Sequence, residues 1–121
     1  MNIEILKNAG IEYDGGVKRF MGRAPLYLKT LAKFPKDGTM GRIQADYRAG
    51  DLAALLLDVH EFKGMCGNMS MTRLAYTADV IVSLLRAGTA ETAELDAAMA
   101  RLETEYAAVN AAVLTAMEVS Q

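Results

Sequence analysis

Residues 51–71 read DLAALLLDVHEFKGMCGNMSM, and the spacing of their apolar side chains decides the fold. At about 100° per residue, Leu52, Leu55, Val59, Phe62, Cys66 and Met69 fall on one helix face, a stripe that must be buried. The spacing predicts a helix from about Leu52 to Met69, and such a helix needs neighbours to cover its stripe. Upstream, Asp37 is a suitable N-cap for a segment ending near Ala49; Gly50 can take the left-handed C-terminal position and Asp51 can cap the next helix. Downstream, Ser70 or Thr72 opens a helix through RLAYTADVIVSLLRA that Gly88 closes. The last segment opens at Thr89, with Glu91 and Glu94 near its positive end. Its apolar residues Leu95, Met99, Leu102, Tyr106, Val109 and Val113 step by three or four.

The first third is less regular. A short helix is expected around residues 2–9, ended by Gly10; IEYDGGVKRFMG reads as a loop followed by a turn or two of helix. Pro25 suits the first turn of a helix running through LYLKTLAKF, because proline lacks a donor that the first turn leaves unpaired, and Pro35 stops or kinks it. No stretch alternates with period two. The expectation is an all-α chain: an antiparallel up-down four-helix bundle, since short links set consecutive helices side by side, with short additional helices at the N-terminus.

Composition narrows the function classes. With 121 residues, 52% of them hydrophobic, the chain has material for one domain spanning 1–121 and little room for a second. A formal net charge of −2 offers no excess of Lys and Arg to neutralise a run of phosphates, which argues against a nucleic-acid partner. One cysteine, Cys66, excludes an intrachain disulfide and a four-ligand Cys/His zinc site built from one chain. No signal-like segment or membrane-length apolar run is visible, so a cytoplasmic monomer without a membrane partner is expected. There is a single histidine, His60, so mechanisms needing two imidazoles from one chain are excluded.

His60 lies off the apolar stripe, roughly a quarter to a third of a turn from its centre, and shares its face with Lys63, Gly64 and Gly67. Two glycines within a helix cost on the order of 1 kcal/mol each relative to alanine, so something needs the missing side chains. Close approach of a neighbouring helix is one account. A clearing around a reachable imidazole is the other, and the azimuth of both glycines, bracketing His60 rather than the stripe, favours it. A neutral imidazole is a good nucleophile near pH 7; attack on a phosphoryl group leaves an N–P bond and about two negative charges, which Lys63 one turn away can offset. No general acid, second base or metal cluster accompanies it. Such a chain receives and passes on a phosphoryl group rather than catalysing the transfer, and the metal and acceptor carboxylate come from the partner.

The run His60-Glu61-Phe62-Lys63-Gly64, with Cys66 and Gly67 and then Asn68 and Met69, resembles the phosphoacceptor motif of histidine-containing phosphotransfer (HPt) domains of two-component phosphorelays. The family pattern is His, an apolar residue two on, Lys or Arg three on, Gly four on, small residues at six and seven, often Asn at eight and an apolar residue at nine. GGVKRFMGRAPLYLKTLAKFP, RAGD before the His helix and LLRAG before the last helix extend the likeness from about Ile11 onward. The resemblance implies a four-helix bundle whose His60 accepts a phosphoryl group from a receiver's phospho-aspartate and gives it to another receiver. It implies Lys63 as the phosphate contact, and Gly64, Gly67 and Asn68 as the clearance for partner docking. It further implies response-regulator receivers or a hybrid histidine kinase as partners, no cofactor on this chain, and Mg2+ on the receiver only. Glu61, where a small or polar residue is usual, and Ser70, where Gly is usual, depart from the pattern.

Blander readings apply elsewhere. Cys66 turns onto the core face as filler, the methionines suit packing, with Met65 near the docking surface, and Asp58, Glu61 and Asp79 read as solvated. Two other functions compete with the phosphocarrier: a helical adaptor that keeps the shape without the chemistry, and a bundle ligating haem or metal through His60, which the adjacent Lys63 disfavours.

Overall fold

A computed structural model describes residues 1–88 and 92–119, and within them the chain is helical apart from links and one isolated antiparallel bridge between Ile11 and Met71. The helices are α1 (Ile3–Asn8), α2 (Tyr13–Arg19), α3 (Ala24–Leu31), α4 (Thr39–Ala49), α5 (Leu52–Asn68), α6 (Thr72–Ala87) and α7 (Thr92–Glu118), with a 3-10 turn at Phe34–Lys36. α5 packs between α4 and α6, α6 packs on α7, and the two-to-four-residue links make these neighbours antiparallel. Tyr47 closes the bundle by donating a hydrogen bond from α4 to Asp96 of α7. At 27 residues, about 40 Å, α7 outruns α6, and its C-terminal turns are covered by α1, tied there by Asn2 N–H donating to the Ala116 carbonyl at 2.8 Å.

Leu55, Val59, Phe62 and Cys66 of α5 are fully buried, as the periodicity requires. They meet Met40 and Ile43, Leu74 and Ile81, and Met99, Leu102 and Val113 in one continuous core. Phe34, Phe62 and Tyr106 form a ring cluster with centroids 5.4 to 6.4 Å apart, which joins the 3-10 turn to α5 and α7. Leu52 is a correction to the expected stripe: it is 53% exposed, because the first residue of α5 lies where nothing packs over that turn.

Boundaries differ from expectation at the end of α3 and the start of α4. α3 ends at Leu31, before Phe34, and Pro35 sits inside the 3-10 turn. α4 starts at Thr39 with Gly38 at the cap position, while Asp37 accepts from the Thr39 N–H at 2.9 Å. α6 starts at Thr72, one of its two expected openers, with Met71 at the cap, so the other, Ser70, does not open it. Thr89 and Glu91, expected at the start of the last helix, lie outside the described residues.

The N-terminal helices lock the far end of α5. Tyr27 of α3 is buried against Tyr13 and Phe20, and its hydroxyl donates to the Met69 carbonyl at 2.6 Å. Burial, with the nearby Tyr13, pushes the Tyr27 phenol up to about 12. Gly16 of α2 permits this, since a Cβ there would lie 2.1 Å from the Tyr27 ring.

α4 and α5 end alike. At the end of α4, Gly50 takes φ +69° while Gly50 N–H reaches the Tyr47 carbonyl and Asp51 N–H the Asp46 carbonyl. At the end of α5, Ser70 takes φ +57° while its N–H reaches the Gly67 carbonyl at 3.1 Å and Met71 N–H the Cys66 carbonyl at 2.9 Å. Both are Schellman caps, whose left-handed residue is by default glycine. A physical reason thus exists for the glycine that the family pattern carries at position 70, and Ser70 holds the cap at a cost of about 1 kcal/mol. Ser70→Gly is expected to stabilise the chain by about that amount in urea unfolding.

Candidate functional site

One-sided burial of α5 turns its opposite pole outward. His60 is exposed there, and none of the described side-chain hydrogen bonds or ion pairs reaches its ring. Gly64 follows on the same face and Gly67 one turn later. A Cβ built on either glycine meets nothing within 4 Å. Close packing of a neighbouring helix therefore does not account for them, and the open space over the imidazole does. Leu57, three residues before His60 and 73% exposed, extends this surface with an apolar side chain that the sequence reading passed over.

The face is convex. Two hollows open elsewhere, and His60 lines neither. One of about 190 Å³ runs beside Lys33, Asp37, Met65 and Asn68, so Asn68 stands on the rim between that groove and the His60 face. A larger one of about 410 Å³ lies where α1, α2 and the start of α6 meet, bordered by Lys7, Tyr13, Thr72 and Arg73. Among the described residues no group of three or more His, Cys, Asp and Glu side chains could hold a metal ion. Met65 packs against the core, and Met69 and Met71 are buried, in keeping with their reading as packing residues. Cys66 is buried as expected, and burial, reinforced by the negative charge of Asp37, pushes its thiol far up, so it is not a thiolate nucleophile.

The Glu61 and Asp79 side chains are solvent-exposed as expected, that of Asp58 is mostly covered, and all three are paired with cations. Lys63 Nζ lies 2.8 Å from Asp79 Oδ1 of α6. Arg42 of α4 donates to Glu61 Oε2 at 3.1 Å and to Asp58 Oδ1 at 3.4 Å. The Glu61 charge beside His60, one of the two departures from the family pattern, is therefore met by a guanidinium from the neighbouring helix. No spacing within α5 could reveal either partner, since both come from other helices.

Behind Arg42, the carboxyl of Asp46 faces that of Asp58, and its Oδ2 is enclosed without a hydrogen-bond partner. Hydrogen bonding to the Asp58 carboxyl first, then desolvation and the charge of Asp58, raise the Asp46 carboxyl from its ordinary value. A carboxyl raised in the folded state favours folding while protonated and loses that advantage as pH rises from its unfolded to its folded value. Asp46→Asn is expected to raise the melting temperature at neutral pH and to flatten that acid-side slope, as followed by thermal unfolding across pH.

The described residues form an all-α helical bundle that exposes one imidazole, and neither hollow reaches it. The chain belongs to the Hpt domain family, whose model matches residues 20–112. The match begins at Phe20, later than Ile11 where the resemblance starts, and runs from before α3 into the second half of α7. No curated protein and no solved structure matches the chain. Hpt domains carry phosphoryl groups on histidine in two-component phosphorelays, interact with receiver domains and kinases, and are phosphocarriers rather than catalysts. No described helix is long and apolar enough to cross a membrane.

Because nothing touches the Gly64 position, Gly64→Ala is expected to stabilise the helix by roughly 0.5–1 kcal/mol in urea unfolding. A glycine needed for helix packing would instead destabilise on this change.

Proposed function

We propose that the whole chain, residues 1–121, acts as one phosphotransfer domain in which His60 is the phosphoacceptor. The observation that carries this reading is an exposed imidazole with open space over Gly64 and Gly67. A receiver's phospho-aspartate sits in a cleft, so the acceptor has to project into it, and a side chain at either glycine would meet the cleft wall first. Leu57 supplies apolar contact on one side of His60, and Asn68 a polar contact at the rim.

In the transfer, the ring nitrogen bearing the lone pair attacks phosphorus in line. The N–P bond forms as the P–O bond to the receiver's aspartate breaks, and that electron pair leaves with the carboxylate. The ring enters neutral, with its proton on the other nitrogen, and relieves its new positive charge by releasing that proton to solvent. Mg2+ stays on the receiver, and this chain contributes the nucleophile and the Lys63 ammonium. Onward transfer to a second receiver is the same step reversed. The reading has a cytoplasmic monomer working with response-regulator receivers, a hybrid histidine kinase, or both.

Incubation with receiver domains loaded by acetyl phosphate in Mg2+ tests this. Acid-labile, base-stable label is expected on the wild-type chain, none on His60→Ala, and at least a tenfold slower uptake on Gly64→Arg, with helical content unchanged in both variants. Label persisting on His60→Ala would sink the assignment, and receiver binding without any label would make the chain an adaptor.

A further inference from the structure

Lys63 is the cation closest in sequence to the phosphoacceptor, and it is engaged elsewhere. Its ammonium lies 2.8 Å from Asp79, with the two side chains 38% and 50% exposed. Asp79 belongs to α6, whose Ala78, Ile81 and Val82 are buried in the core, so the carboxylate is anchored at a set position beside α5. Lys63 begins one turn after His60 on the same side of the helix. Its stem is flexible and its ammonium has three donors, so it can turn toward a group on His60 without any backbone movement.

We propose that Asp79 is a positioning residue that competes with the phosphoryl group for Lys63, so that phosphohistidine is held loosely enough to be passed on. The proposal rests on His60 being the phosphoacceptor. Ion pairs between exposed side chains are weak, so the ammonium exchanges one anion for the other at little cost. While Asp79 keeps its charge, the phosphoryl group gets a shared cation and a like charge nearby, and both disfavour phosphate on His60. On the other flank, Glu61 and Asp58 are met by Arg42, so the Lys63–Asp79 pair is where the balance changes when about two negative charges arrive.

The test uses the full chain and a receiver that labels it. With label at equilibrium between receiver and His60, Asp79→Asn is expected to shift the partition toward His60 by about three- to tenfold, the range for one unit charge near a solvated site. Asp79→Glu should stay within about twofold of wild type. In a Lys63→Ala background the shift from Asp79→Asn should be smaller than in the wild-type background, since only the like-charge part remains and no ammonium is left to release; an equal shift in both backgrounds overturns the competition for Lys63. A second readout is the 31P resonance of chain phosphorylated with phosphoramidate: its titration midpoint should fall in Asp79→Asn, because an undivided cation favours the dianion. A merely structural Asp79 would alter the melting temperature and leave partition and midpoint where they were, which overturns the proposal. Failure of the wild-type chain to take label from receivers or phosphoramidate overturns the reading of His60 instead, and this proposal with it.

Discussion

The burial of one stripe of α5 is the constraint on which the rest depends. Leu55, Val59, Phe62 and Cys66 are wholly enclosed, and a helix held by one face between two antiparallel neighbours has its other face fixed outward. His60 and Gly64 occupy that pole because they are out of phase with the stripe. The same packing sets α4 and α6 on either flank of the pole, which is why Arg42 and Asp79 reach it from opposite sides. The far end of the helix is pinned by Tyr27 on the Met69 carbonyl and by the left-handed turn at Ser70. The imidazole therefore stands on a rigid helix rather than a loop.

The site's electrostatics follow from that geometry. Two cations and three carboxylates surround an imidazole that none of them contacts: Lys63 with Asp79, and Arg42 with Glu61 and Asp58. Each pair is partly exposed, so each is weak and exchangeable. With His60 as the proposed phosphoacceptor, a phosphoryl group there would find cations already placed and already shared, which would suit a carrier better than a trap. Glu61, which read in sequence as a charge in the wrong place, is one half of a pair whose other half lies nineteen residues upstream.

Helical periodicity and punctuation made most of the fold legible. Gly50 and Gly88 do end helices in the left-handed conformation, Asp51 does cap α5 through the Ala54 N–H, and the apolar steps of α7 are buried apart from Tyr106, which is half-buried. Those signals are local: a turn of helix needs its cap and its phase, and both are written in consecutive residues. Leu52 failed because phase says which face a residue is on but not whether a neighbour extends far enough to cover it. Of the two expected openers of α6, Thr72 starts it and Ser70 does not, because a cap's role depends on the backbone angle that two adjoining helices impose. The role of Gly16 under Tyr27, eleven residues and one helix away, left no local trace either.

By itself the sequence determined the helical class, the helix that bears His60, and the face that His60 shares with Lys63 and the two glycines, since these follow from spacing along one segment. Its likeness to the phosphotransfer family rests on that same segment. Only the tertiary structure decided that the glycines face open space rather than another helix, that Lys63 is tied to Asp79, and that Arg42 answers Glu61. The reason is that a helix's pattern records what each side chain needs, whereas the partner that meets the need is chosen by which helices the shared core brings together.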